Sequence, residues 1–156
     1  MNLANALTKN TDLLKLRTRS FEMNGHTFKV RVPLATELEL MFERINKPNE
    51  ETAEKYYKEL SAPFATKETD DAIVERTKND IIISGRSLRE AAKAKTITEQ
   101  RILEMIRLLV PEEEGFDMST IDYGMVQEAF PFAIQIELMD MISKTISPDY
   151  KEHRGK

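Results

Sequence analysis

Apolar and polar residues alternate from Arg17 to Val32, and Asn24-Gly25 sits between the two alternating runs. A period of two marks a half-buried strand, and Asn-Gly is a favoured two-residue connection, so residues 17–32 predict a β-hairpin. Such a turn pairs Phe21 with Phe28 and Arg19 with Val30. It places Phe21, Met23, Phe28, Val30 and Val32 on one face and Ser20, Glu22, Lys29 and Arg31 on the other. A lone hairpin is marginal in water, so its apolar face must pack on helices or another sheet.

After Pro33 the period becomes helical. Thr36 with Glu39 three residues on forms a capping box. Leu38, Met41, Phe42 and Ile45 then run down one side until Lys47-Pro48-Asn49 breaks the pattern. A charged helix follows over 50–60, with Glu51–Lys55 and Glu54–Lys58 at i,i+4 spacing and a stripe of Ala53, Tyr56, Tyr57 and Leu60. Thr69, followed by Asp70 and Asp71, predicts another helix running to about Ile83, with Gly85 just past its end. Ser87 with Glu90 and Thr96 with Glu99 are two more capping boxes. They predict a short basic helix over 88–95, then a separate helix with Ile102, Leu103, Ile106, Leu109 and Val110 on one face, stopped by Pro111. Ser119 or Thr120 can cap a helix toward Phe130. The last helix, 132–146, has only a narrow polar stripe of Glu137, Asp140 and Lys144. A helix so apolar is either central to the core or covered by another chain.

These elements predict a mainly α fold of the α+β class. It is a single helical domain over 16–147 with an N-terminal β-hairpin, preceded by a leader over 1–15 and followed by a tail over 148–156. At 156 residues, 40% hydrophobic and 32% charged, the chain can bury a real core beneath a heavily charged surface. No turn-rich stretch is long enough to separate two domains. The absence of cysteine excludes disulfides, thiolate metal sites and cysteine catalysis. No apolar run reaches transmembrane length and no signal-peptide stretch opens the chain, so a cytoplasmic protein with no membrane association is expected.

Net charge is −4, unevenly spread: residues 1–34 hold six bases against two acids. From Leu108 to Ser143 there are eight acids and no Lys or Arg, together with four of the eight methionines and Phe116, Tyr123, Phe130 and Phe132. Methionine adapts its shape to irregular apolar partners, and promiscuous surfaces exploit this. The acids would keep such a surface soluble and favour basic partners. The plainer reading makes these side chains the domain's own core, and self-association into a homo-oligomer would also satisfy the last helix. Nucleic acid is not the default partner of so acidic a chain.

Nothing in the pattern calls for chemistry. His26 and His153 lack a metal-pairing neighbour at i+3 or i+4. The acids over 112–122 do not follow the spacing of a calcium loop. The five glycines are scattered singly, and no serine sits in a nucleophile elbow. A non-enzymatic protein without metal or cofactor is expected. Arg86, Arg89, Lys93, Lys95, Arg101 and Arg107 loosely resemble helix-turn-helix spacing, which keeps a small DNA-binding regulator open, though Glu90, Glu99 and Glu104 interleave them. Arg17, Arg19, Lys29 and Arg31 form a denser basic set on the hairpin, suited to an acidic partner or to discouraging strand-edge aggregation.

The segment Phe21 to Ile45, a hairpin with its turn at Asn24-Gly25 running through Val30-Arg31-Val32-Pro33 into a helix at Ala35-Thr36-Glu37-Leu38, resembles the opening of tail assembly chaperones of long-tailed bacteriophages. The resemblance covers residues 21–45; beyond them the likeness is one of size and helical order. It implies a late protein of the host cytoplasm that holds the tape measure protein before the tail tube forms and can help recruit tail tube subunits. It implies no catalytic residue. Such chaperones are often made in two lengths by frameshifting, and codons for Arg154-Gly155-Lys156 can contain a slippery run. Combined with the acidic, apolar C-terminal half, the resemblance makes Met125, Phe130, Phe132, Ile136, Met139 and Ile142 the candidate partner-binding residues. Arg17, Arg19, Lys29 and Arg31 become a second contact surface. A structural virion subunit oligomerising through the last helix stays open beside it.

Overall fold

Asn24 and Gly25 both take positive φ, 53° and 79°, the backbone of a type I′ turn. The turn joins β1 (Thr18–Met23) to β2 (His26–Arg31) in the register that alternation requires, Phe21 opposite Phe28 and Arg19 opposite Val30. Phe21, Met23 and Val30 are buried, and the rings of Phe21 and Phe28 stack with centroids 5.3 Å apart. The structure, a computed structural model, describes residues 17–64 and 74–148. The expected leader, the Thr69 cap and most of the expected tail lie outside the described residues.

Five α-helices follow among those residues: α1 (Ala35–Ile45), α2 (Glu50–Ser61), α3 (Leu88–Ile106), α4 (Tyr123–Ala129) and α5 (Phe132–Ile146). With the hairpin and a small second sheet they make a mainly helical α+β chain. No described helix is long and apolar enough to cross a membrane. The chain divides into two compact units, residues up to 40 with those from 102 onward, and residues 41–101. The divisions fall inside α1 and α3, not in linkers.

In the first unit, α5 packs on both strands of the hairpin. The chain leaving α3 completes the sheet: the Arg31 N–H donates to the Leu108 carbonyl and the Val110 N–H to the Lys29 carbonyl, each at 2.8 Å, with Leu109 opposite Val30. Helix α3 therefore ends at Ile106, and Leu109 and Val110, expected on its apolar face, pair with β2. The open backbone groups of β2 need partners, and that requirement outweighs helical propensity here. The buried apolar residues of this unit include Ile102, Leu103, Met105, Ile106, Leu108, Ile121, Val126, Leu138 and Ile142.

Helix α1 begins one residue before Thr36, and its expected capping box gives way to another arrangement. Glu37, not Glu39, is the engaged carboxylate: it accepts from Arg17 Nη2 at 2.9 Å and from Arg31 Nη1 at 2.6 Å. The Arg31 hydrogen bond, aided by Arg17 and opposed by partial burial, holds its carboxyl below the ordinary value of 4.5. A depressed folded-state pKa contributes stability above the unfolded value, and this is lost as pH falls through the folded value. Glu37→Gln should therefore flatten the loss of stability below pH 4.5 relative to wild type, checked by urea midpoints across the acid range.

The second unit corrects two expectations. Residues 74–83 are not helical. They form β3 (Val74–Arg76) and β4 (Ile81–Ile83), which with β5 (Arg86–Ser87) make an antiparallel sheet in the order β3-β4-β5. Ser84 and Gly85 have φ of 51° and 81°, a second type I′ turn, so Gly85 is a hairpin glycine and no helix stop. Three consecutive β-branched isoleucines suit the pleated strand better than a helix. Asp80 accepts from the N–H groups of Ile81 at 2.8 Å and Arg89 at 3.1 Å and from the Ser87 hydroxyl, locking this turn to the start of α3.

The second correction is that α3 is one continuous helix, not two. Thr96 caps nothing; it is buried, and its hydroxyl donates back to the Ala92 carbonyl at 2.9 Å. Helix α2, capped by Asn49 accepting from the Thr52 N–H at 3.0 Å, lies against it. Arg89 bonds Glu54 at 2.6 Å and sits over the Tyr57 ring at 4.0 Å, Lys95 lies over Tyr56 at 4.1 Å, and the Tyr56 hydroxyl donates to buried Glu99.

Candidate functional site

Helices α4 and α5 carry the candidate surface, and the side chains that join them explain its shape. The acidic loop that precedes them, 112–117, is exposed throughout. Asp117 caps a 3-10 turn over Met118–Thr120, and Asp122 caps α4 by accepting from the Met125 N–H at 2.9 Å. Neither Ser119 nor Thr120 is the cap of α4. Pro131, which lacks an N–H, ends one helix and opens the next. The corner is fixed by Gln135, whose amide donates to the Phe130 carbonyl at 2.9 Å and accepts from the Tyr123 hydroxyl at 2.5 Å. A buried polar side chain satisfied at both ends costs little and holds one geometry.

On α5 the buried residues are Gln135, Leu138, Ile142 and Thr145, one face at helical spacing. Ile142 is 0% exposed, so it is a core residue and not a partner contact. Other apolar residues of α5 lie off that face. Phe132 is 57% exposed, while Ile136, Met139 and Ile146 are half-buried. On α4, Met125 is 43% exposed and Val126 is buried. Phe130, at the corner, is half-buried. Thus Met125 and Phe132 are on the surface, Phe130, Ile136 and Met139 at its margin, and Ile142 beneath it.

Phe116, 41% exposed in the acidic loop, belongs with the exposed set and was missed. A loop phenylalanine has no periodicity to reveal which way it faces. Leu34 and Leu40 in the first unit, and Phe42 and Leu60 in the second, are also exposed. Phe42 is therefore off the apolar stripe expected of α1, which is Leu38, Met41 and Ile45 at i, i+3 and i+7.

Every acid of the Lys/Arg-free stretch is exposed: Glu112, Glu113, Glu114, Asp117, Asp122, Glu128, Glu137 and Asp140. Among the described residues, two have basic partners. Glu112 lies 3.0 Å from His26 Nε2, and Asp140 lies 2.9 Å from Lys144 one turn on. Asp117 is held below the usual carboxylate range by the Ser119 hydroxyl and N–H. Phe132, Met125 and Phe116 keep 57%, 43% and 41% of their surface in water, so covering them with an apolar partner is favourable.

The basic hairpin does not form the outward surface expected of it. Arg17 and Arg31 both grip Glu37, and Arg17 Nε also donates to the Val32 carbonyl at 3.0 Å. Arg19 shares the inward face with Phe21 by strand parity. Its Nη1 donates to the carbonyls of Thr145 and Ser147, each at 2.9 Å, capping the C-terminal end of α5 with a cation. Lys29 alone of the four is an exposed cation. Three of these charges serve the fold because each finds an acid or a helix end within reach.

Among the described residues no three His, Asp or Glu side chains converge to hold a metal ion. The surface presents exposed apolar side chains set among exposed acids. No family model, curated protein or solved structure matches the chain.

Proposed function

We propose that the chain is a non-enzymatic tail assembly chaperone of a long-tailed bacteriophage, which binds and solubilises the tape measure protein in the host cytoplasm. Recruitment of tail tube subunits is a second role on the same reading. The observation that carries it is the exposure of Phe116, Met125 and Phe132 inside a stretch with eight exposed acids and no Lys or Arg. Scattered exposed apolar residues are ordinary, and what supports an interaction surface here is that three large ones fall within one acidic segment of the sequence. The resemblance of residues 21–45 to tail assembly chaperones names the occupant, and the hairpin, Pro33 and α1 follow in the order that family has. The mechanism is reversible cover of apolar stripes on a long helical client, so no nucleotide is required.

The fold favours the DNA-binding alternative less. Helix α3 is unbroken where helix-turn-helix spacing needs a turn, and Arg89 and Lys95 are committed to α2. Co-expression with the cognate tape measure protein tests the proposal: its soluble fraction should rise several-fold and the two proteins should co-elute. An unchanged soluble fraction defeats the reading. Finding the chain in purified mature particles would mark it as a structural subunit instead.

A further inference from the structure

We infer that a second stripe on α5, formed by Phe132, Ile136, Met139 and Ile146, is a seam for one amphipathic helix of a partner protein whose apolar ridge is flanked by Lys and Arg. The inference rests on reading this region as a partner grip, and it adds which face of α5 does the gripping and what charge its partner carries. With Ser143 these positions fall at i, i+4, i+7, i+11 and i+14 of a single helix. At 100° per residue they form a line beside the buried line of Gln135, Leu138, Ile142 and Thr145. One line is spent on the fold, while the other keeps Phe132 at 57% exposure and the rest at the margin. A line of apolar anchors with this spacing is what a helix recognises in another helix. Its length is about 21 Å, four turns, at 1.5 Å rise per residue. Ser143, small and exposed, leaves room in the middle for close approach.

Charge selects the occupant. The exposed acids Glu137 and Asp140 border the seam on α5, and Glu128 is exposed on the adjoining α4. The one basic residue of α5, Lys144, pairs with Asp140 at 2.9 Å and offsets its charge, so Glu137 and Glu128 carry the net negative charge of this border. A second copy of this chain would bring its own acidic border against this one, and like-charge juxtaposition opposes such pairing. A helix with basic flanks meets the opposite situation. Half-burial of Met139 and Ile136 lets the seam adapt to ridges of differing shape, as methionine surfaces do.

The test uses the purified full chain and two synthetic helical peptides with the same leucine ridge. One carries Lys and Arg flanks and the other Glu flanks, and binding is read by fluorescence anisotropy. The basic peptide should bind about tenfold tighter than the acidic one at low salt, the sum of several rim ion pairs, with the gap closing at high salt. Phe132→Ala, at an exposed position that should leave the circular dichroism spectrum unchanged, should weaken the basic peptide about tenfold or more. The Glu137→Lys/Asp140→Lys variant should reverse the preference. Equal binding of both peptides, no binding of either at millimolar concentration, or indifference to Phe132→Ala overturns the seam. So does sedimentation showing a dimer that Phe132→Asp dissolves. If the chain ignores both peptides yet keeps the tape measure protein soluble, the seam fails and the chaperone reading stands. If it discriminates between them but does not hold that protein, the seam stands and the chaperone reading fails.

Discussion

Ile142→Ala is expected to destabilise the fold by about 2–5 kcal/mol, the cost of deleting buried methyl and methylene groups and leaving a cavity. Ile142 is 0% exposed on the face of α5 that also buries Leu138, and that helix packs on both strands of the hairpin. Its side chain cannot relax toward water, so the upper part of the range is the better guide. Phe132→Ala, ten residues earlier on the same helix, should change stability by no more than about 0.5 kcal/mol, as surface substitutions do. Denaturant midpoints of the two variants separate them. Equal destabilisation would mean that Phe132 is packed and the surface reading is wrong. The contrast matters because both residues belong to one sequence-derived binding set, and only one of them can meet a partner without unfolding the chain.

Arg107→Met should cost about 1–3 kcal/mol, the loss expected when a buried carboxylate and a carbonyl lose their donor. Glu104 is 2% exposed, and its carboxylate lies 3.5 Å from Arg107 Nη1. The same guanidinium donates from Nη2 to the Ile121 carbonyl at 2.7 Å, fixing the chain that leads into α4. Its Nε is buried without a hydrogen-bond partner, which makes the site less stabilising than a fully satisfied one. Methionine keeps the stem and removes the charge. A thermal midpoint within one or two degrees of wild type would show that this guanidinium is dispensable. In sequence Arg107 looked like the last member of a solvated basic stretch; in the fold it is half-buried and bonded to the Ile121 carbonyl.

The hairpin and the last helix were legible because each is governed by a local rule. Asn24-Gly25 between alternating runs admits one register, and residues 132–146 lie between Pro131 and Pro148. The second sheet was not legible. Ser84-Gly85 uses the same turn as Asn24-Gly25, but its strands are only two or three residues long, too short for alternation to be seen. Thr96 misled because a threonine with glutamate three residues on reads as a cap whether or not the helix continues through it. The end of α3 was set by distant chain: nothing near Leu109 indicates that β2 has an open edge to fill.

For the candidate surface, composition located the segment but could not sort its residues. Phe132 and Ile142 are both large and apolar on one helix, and only the packing of that helix decides that Ile142 is buried and Phe132 is not. The basic residues of the hairpin were misjudged for the same reason. Arg19 reaches the end of a helix more than a hundred residues later in the chain. Arg17 and Arg31 converge on Glu37, which sequence distance alone could not have singled out over Glu39.

The claim that exposed apolar side chains among fixed acids grip the client is tested most directly by comparing two co-expressions with the tape measure protein, one with wild type and one with Phe116→Ser/Met125→Ser/Phe132→Ser. All three positions are exposed, so the variant should fold and purify as wild type does. The account predicts that soluble tape measure protein falls to the level seen without any chaperone. A variant that folds and keeps the tape measure protein as soluble as wild type does would contradict it.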